Sequence, residues 1–512
     1  MLDTHTPSSQ TLRRETYLDK VLGCWTGKNI GGTLGAPFEG KRETNDIEFY
    51  THKLNGEPIP NDDLDLQLVW LAAVEKHGLY NIDERVLGEY WLSHISGMWN
   101  EYAVCKSNIR NGLIPPLSGS CNNERWHASN GAWIRSEIWA CLFPGSPDEA
   151  ARYAYFDSCC DHHGDGVYAE VFTAVMESMA FIVGDIRELI RHGLARIPET
   201  CRVARAARLA RKCHDDHVPF LEAREAIVAD SSDLGWFQAP GNLGFLTLAL
   251  LYGEGDFGKT VCLATNCGDD TDCTAGTAGA ILGIIAGRSQ LPERWTAPIG
   301  DTIKTIAIDA FDLHNVRPYP KTLEELTQRL AALQETNQRE NKTLPQFAER
   351  DHISADYLAA LNDPEPTRRR VWKYSPYELT WDLPFGRFSV DFGKAPNVVP
   401  GEAFTVTCAL SGIQERECVL SARVAPPADW RVTGPLECVL TGKYFNKAEA
   451  TLTFTPGDFP DAYFYLPLEL RLYGRRNPYM VFLPLQRGRV DHTQETPDQP
   501  YYDRSNRERG RR

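Results

Sequence analysis

Two acidic runs have the residue types and spacing to do chemistry. The first is Asn61-Asp62-Asp63, preceded by Pro58-Ile59-Pro60 and followed by Leu64, Leu68 and Leu71 at helical spacing. The second is Gly268-Asp269-Asp270-Thr271-Asp272-Cys273, which leads into Thr274-Ala275-Gly276. A single Asn or Asp at a helix start is explained by capping and by the helix dipole. Several acids in succession repel one another, and capping does not account for that cost. A shared hard cation such as Mg2+ or Mn2+, which prefers oxygen ligands, relieves it. Asp65 reads as a solvated first-turn charge. A third element is Asp161-His162-His163-Gly164-Asp165-Gly166, beside Cys159-Cys160. Adjacent ligands rarely reach one metal tetrahedrally, so this is not a zinc pattern. It reads as a capping loop with a packed histidine or as a substrate- or site-supporting element.

The elements that must position these groups carry their own signature. Gly23, Gly27, Gly31 and Gly35 recur every four residues and Glu39 continues the series; Ala275, Gly279, Gly283 and Gly287 repeat the spacing just after the second acidic run. Four residues advance a helix by about 400°, so each stripe stays roughly on one side. A helix-interior glycine costs ~0.8–1 kcal/mol relative to alanine, hence ~3 kcal/mol per stripe, which close helix packing must offset. Such packing would draw the acid-bearing helix termini together. Gly23–Asn29 is not a phosphate loop, because the spacing is short and Asn29 follows Lys28.

Helical periodicity, as in Val171–Ile182 and Leu243–Leu251, dominates the chain up to about residue 350. Ser107–Asn123 reads as a loop, and Lys321–Glu349 as a surface helix. Beyond about residue 370 the pattern becomes period-2: Phe404, Val406, Cys408 and Leu410 alternate with polar residues, as do Ala450, Leu452 and Phe454. The expected organisation is an all-α domain over residues 1–365, an antiparallel immunoglobulin-like β-sandwich over 366–490, and a disordered polar tail over 491–512.

Composition narrows the function classes. With 42% hydrophobic and 24% charged residues the chain is an ordinary globular one, and a net charge of −15 argues against general nucleic-acid or anionic-membrane binding. The N-terminus lacks a secretory apolar run and no stretch is long enough to span a membrane, so a cytoplasmic location is expected. The 14 cysteines have no framework spacing and read as small buried hydrophobes. Asn341-Lys342-Thr343 reads as a chance glycosylation match.

In order and approximate distance these elements resemble the ADP-ribosylglycohydrolase family, between about residues 17 and 290. Gly35-Ala36-Pro37-Phe38-Glu39 is similar to the end of that family's first helix and its glutamate. Asn61-Asp62-Asp63 resembles its Thr-Asp-Asp, and Ser129-Asn130-Gly131 with Arg135 its Asn-Gly loop. Asp161-His162 resembles its Ser/Thr-His element, and Asp270-Thr271-Asp272-Cys273-Thr274 its Gly-Asp-Thr-Asp-Thr helix start. The resemblance implies a helical glycosidic-bond hydrolase acting on ADP-ribosyl compounds with two Mg2+ or Mn2+ ions. The implied metal ligands are Asn61, Asp62, Asp63, Asp270, Asp272 and Cys273. Glu39 or Asp63 would serve as base or stabilise positive charge. Ser118, Gly119, Asn130, Gly131, His162 and Gly164 would line the substrate pocket.

The chain departs from the pattern at three places. Asn61 and Cys273 stand where the family has threonine, and Asp269 where it has glycine; a neutral thiol is a poor Mg2+ ligand. These departures and the added sandwich leave two further readings: a glycosidase for another sugar or nucleoside derivative, and a non-catalytic scaffold. The sandwich itself suits carbohydrate binding, homo-oligomer formation or simple cover of the helical domain.

Overall fold

The computed structural model describes residues 10–308, 317–373, 375–413, 417–426, 431–443, 446–458 and 461–488. The expected tail over 491–512 lies outside them. Helices run from Arg14–Gly35 to Glu365–Arg370, and the chain from Glu378 onward is built of strands. No described helix is long and apolar enough to cross a membrane.

The centre of the helical part is an antiparallel pair, Arg14–Gly35 against Thr271–Ala286. Gly23 faces Gly283, Gly27 faces Gly279, Gly31 faces Ala275 and Gly35 faces Thr271. At each of these four glycines an added Cβ would come closer than 3.0 Å to backbone atoms of the partner helix. The stripes are therefore a backbone-to-backbone seam, and contact along it offsets the propensity cost of the glycines. Because the pair is antiparallel, the C-terminal end of the first helix meets the N-terminal end of the second. Thr271 Oγ1 donates to the Gly35 carbonyl at 2.8 Å across that junction. Around the pair, Trp25, Trp70, Trp91, Trp133 and Trp139 are fully buried in one large core.

The C-terminal part is two five-stranded sheets. One runs, in spatial order, Glu378–Leu383, Gly386–Asp391, Phe404–Ser411, Ala448–Pro456 and Val432–Thr433; the other runs Asn397–Val398, Tyr479–Arg487, Tyr463–Leu472, Glu417–Val424 and Glu437–Lys443. Pairing is antiparallel except where Asn397–Val398 lies parallel to Gln486–Arg487. This mixed pairing differs from the wholly antiparallel expectation and is compatible with an immunoglobulin-like sandwich. Burial alternates over Phe404 to Cys408 and along Glu437–Lys443, as a half-buried pleat requires. Phe388, Val406, Leu420, Leu468 and Leu483 fill the space between the sheets.

The segment 107–123 departs from the loop expectation. The helix Asn100–Arg110 runs into it, and a short helix, Leu117–Ser120, follows. Leu113, Leu117 and Cys121 recur every four residues and are buried in the core of the sandwich. Polar ties reinforce the join: Asn122 Nδ2 donates to Gln486 Oε1 at 3.0 Å and Ser120 Oγ to the Pro376 carbonyl at 3.3 Å. Of the surface helix expected over Lys321–Glu349, the structure forms Leu323–Glu340, with Leu323, Leu326 and Leu330 turned inward, while Gln346–Ala348 is a strand paired with Thr11–Arg13.

Candidate metal and catalytic site

Both acidic runs begin helices. Asn61 is the N-cap of Asp62–His77, and its Oδ1 accepts from the Asp63 N–H at 2.8 Å. Asp270 is the N-cap of Thr271–Ala286. The glycine seam sets the second helix start beside the end of the first helix, and the two carboxylate groups converge. Cys273 Sγ lies 3.7 Å from Asp63 Oδ1. Asp270, Asp272 and Cys273 have ligand atoms within 4.8 Å of one another. Half-buried Glu39 is near enough to act electrostatically on Asp270.

The electrostatics favour a cation here. Asp270 is held well above the usual carboxylate range, first by burial and then by Asp272 and Glu39. Burial raises Asp63 as well; Lys28 opposes the shift, and Asp272 and Asp62 add to it. Burial and the surrounding carboxylates push the Cys273 thiol up. Asp272 Oδ1 is buried with no hydrogen-bond partner among the described residues. Unpartnered buried acceptors are costly, and crowded carboxylates are stabilised by a shared divalent ion. The donor set of carboxylate oxygens fits such an ion.

Protein groups hold these carboxylates in place. Asn130 Nδ2 donates to Asp270 Oδ2 at 2.7 Å, while its Oδ1 accepts from Trp133 Nε1 at 3.0 Å. Asn242 Oδ1 accepts from the Asp270 N–H at 3.3 Å. Tyr102 Oη donates to Asp62 Oδ2 at 3.1 Å. Asp269, in place of the family's glycine, adopts φ +67°. Its side chain accepts from the Phe237 N–H at 3.0 Å and pairs with Arg42 at 3.3 Å, and its backbone carbonyl accepts from the Gly40 N–H at 2.8 Å. The residue thus pins the turn just after Glu39.

Lys28, Tyr102 and Asn242 escaped the sequence reading. Lys28 entered it only as part of a failed phosphate loop. It is 2% exposed, its ammonium 3.3 Å from Asp63 Oδ2 and 2.8 Å from Glu137 Oε1. The available signal was a charged residue between Gly27 and Gly31, inside a small-residue stripe. For Tyr102 no sequence signal existed.

The expected pocket-lining residues separate into groups. Asn130 reaches the acidic centre directly. His162 is 1% exposed, with Nε2 3.0 Å from Ser129 Oγ and Nδ1 2.9 Å from Asp161 Oδ1. Arg135 clamps the same loop, donating to Asp161 at 2.6 and 3.1 Å and to Asp157 at 2.8 Å. Gly131 is packed so closely that a Cβ would overlap Glu101 Oε1. Glu101 is pushed up to about 7, by burial and against the opposing effect of His162. Ser118 is buried and donates to the Cys160 carbonyl at 2.5 Å, and a Cβ on Gly119 would overlap the His162 carbonyl. These two residues brace the His162 loop from behind. Gly164 takes φ +56° ahead of the helix Asp165–Ala180.

Asp65 contradicts the expectation of a solvated charge. It is fully buried, and Oδ2 accepts from the backbone N–H groups of Ile306 and Ala307, both at 2.6 Å. The chain at 306–307 crosses the helix start and needs an acceptor there. Burial outweighs these two donors and raises the carboxyl to about 8. A carboxyl raised on folding binds a proton that the unfolded chain has released, so its contribution to stability falls as pH climbs from about 4 to about 8. Asp65→Asn keeps an acceptor oxygen and removes the titration. Its urea midpoint is expected to rise relative to wild type between about pH 5 and 8; parallel midpoints across that range would refute the assignment.

All 14 cysteines are buried and unbridged. No curated protein matches the chain. A solved ADP-ribosylglycohydrolase-related protein complex is similar at 18% identity with a TM-score of 0.45, over 63% of this chain and 99% of that one. The sequence pattern of the ADP-ribosylglycohydrolases matches residues 13–340, which take in Glu39, both acidic runs, Asn130 and His162. The chain belongs to the ADP-ribosylglycohydrolase family.

Proposed function

We propose that this protein is a divalent-cation-dependent hydrolase that cleaves the ribosyl glycosidic bond of an ADP-ribosylated protein or an ADP-ribose derivative. The observation that carries the reading is the meeting of Asp63, Asp270 and Asp272 beside Glu39, with Asp62 acting on Asp63 and an unpartnered carboxylate oxygen on Asp272. The family points to Mg2+ or Mn2+ as the ion. When bound, such an ion supplies Lewis acidity toward ribose hydroxyls and water.

The chain's own groups divide the remaining work. Asn130 and Asn242 fix Asp270, and Tyr102 fixes Asp62. Asp63 is buried against Lys28, which leaves it poorly placed to move a proton to solvent. Glu39 is half-buried at the open end of the helix seam and suits the role of general base toward an attacking water, or of a negative charge beside the anomeric carbon. The His162 loop, held by Arg135, Ser129 and Ser118, shapes the adjoining wall.

The test is release of ADP-ribose from modified protein and from small ADP-ribosyl conjugates, with and without chelator, against Asp62→Ala and Asp270→Ala. Chelation and both substitutions are expected to abolish release. Full activity in either variant would sink the mechanism. The departure at Cys273, together with a sandwich locked to the segment that braces the His162 loop, supports a second reading in which the substrate is another glycosylated metabolite. Turnover of such a compound, with none of ADP-ribosyl substrates, would establish it.

A further inference from the structure

We propose that the centre holds one divalent cation, bound by Asp270, Asp272 and Cys273, and that the Lys28 ammonium supplies the positive charge that a second cation would bring to the Asp62–Asp63 side. This rests on the cation-dependent reading above and departs from the two ions that family membership implies.

The two halves of the site differ in the fixed charge set beside their oxygens. On the Asp62–Asp63 side a buried positive charge already stands beside the ligand-type atoms, although Asp63 Oδ2 makes no hydrogen bond among the described residues. Asn61 Oδ1 accepts the Asp63 N–H at 2.8 Å, Asp62 Oδ2 accepts Tyr102 Oη at 3.1 Å, and Asp63 Oδ2 lies 3.3 Å from the Lys28 ammonium. Lys28 cannot easily swing away. Its ammonium also donates to the Ile134 carbonyl at 2.6 Å and pairs with Glu137 at 2.8 Å. Glu137 is itself fixed by Gln67 Nε2 at 2.8 Å. An ion placed on Asp63 would sit beside a buried, fixed positive charge with little solvent to screen it.

The other half has no ion pair to its carboxylates among the described residues, although Asp270 Oδ2 accepts from Asn130 Nδ2 at 2.7 Å. Asp272 Oδ1 is buried and lacks a partner among the described residues, and the ligand atoms of Asp270, Asp272 and Cys273 lie within 4.8 Å of one another. Two carboxylates and a thiol make a donor set of intermediate softness. It favours Mn2+, Co2+ or Zn2+ over Mg2+, and binding would release the thiol proton.

Counting bound metal tests this without reference to turnover. The full chain is titrated with Mn2+ by calorimetry and by electron paramagnetic resonance of the free ion, then loaded with Co2+ for absorption spectroscopy. One Mn2+ per chain is expected, with a thiolate-to-cobalt charge-transfer band that Cys273→Ser loses. Lys28→Met is expected to admit a second Mn2+, and Lys28→Arg to stay at one. The wild-type count and the cobalt band decide the matter even if a Lys28 variant fails to fold. Two Mn2+ per wild-type chain, or one with no thiolate band, overturns the inference and leaves the cation-dependent hydrolase standing. Binding of neither metal overturns both.

Discussion

Asp272→Ala is expected to lower kcat/KM by about a thousandfold or more, with the helix content of the protein unchanged. A bound cation contributes several kcal/mol to transition-state stabilisation, and about 4 kcal/mol corresponds to three powers of ten. Asp272 projects from the first turn of Thr271–Ala286 and carries a buried oxygen that no described residue satisfies. Removing that oxygen should relieve the fold of an uncompensated acceptor while emptying the centre of a ligand. The apo variant is therefore expected to melt at or above the temperature of apo wild type, and added Mn2+ should no longer raise its melting temperature. A variant that loses stability in step with activity would instead mark Asp272 as structural.

Gly31→Leu is expected to abolish folding. In an exposed helix a glycine-to-alanine change gains about 1 kcal/mol. Here even a Cβ would overlap the Ala275 carbonyl carbon and oxygen, and backbone cannot give way as a flexible side chain can. Gly31→Ala should therefore reverse the sign and cost about 1–3 kcal/mol by overpacking. The leucine side chain forces the seam apart and should cost more than about 5 kcal/mol, comparable to the whole stability of a typical domain. Denaturant midpoints of the soluble alanine variant and soluble yield of the leucine variant check the pair. A stabilising Gly31→Ala would show that the helices do not touch as described.

The features most legible in the sequence were those whose cost or period is local. Glycines every four residues are expensive unless two backbones meet, so the seam was legible in the sequence alone. Alternation in Phe404–Leu410 and Ala450–Phe454 announced sheets because strands have a period of two. The acidic runs at 61–63 and 269–272 declared themselves through unrelieved repulsion. What stayed hidden depends on long-range partners. Lys28 gains its meaning only when Asp63 and Glu137 close around it. Asp65 looked solvated because the segment 306–307, which buries it, is distant in sequence. Ser118 and Gly119 carry turn chemistry that suits a phosphate loop equally well, and only their packing on Cys160 and His162 assigns them a bracing part.

The segment 107–123 belongs to the helical part by sequence and to the sandwich by its core. Leu113, Leu117 and Cys121 are wedged among the strands, and Ser118 on the same short helix grips the loop that carries His162. Heat should accordingly find one cooperative unit where the element order draws two modules. Calorimetry of the whole chain should give a single endotherm with matching van't Hoff and calorimetric enthalpies. A truncation before Glu378 would strip the cover from three apolar side chains and loosen the brace behind the His162 loop at the same time. Loss of the sandwich would cost the helical domain part of its own frame.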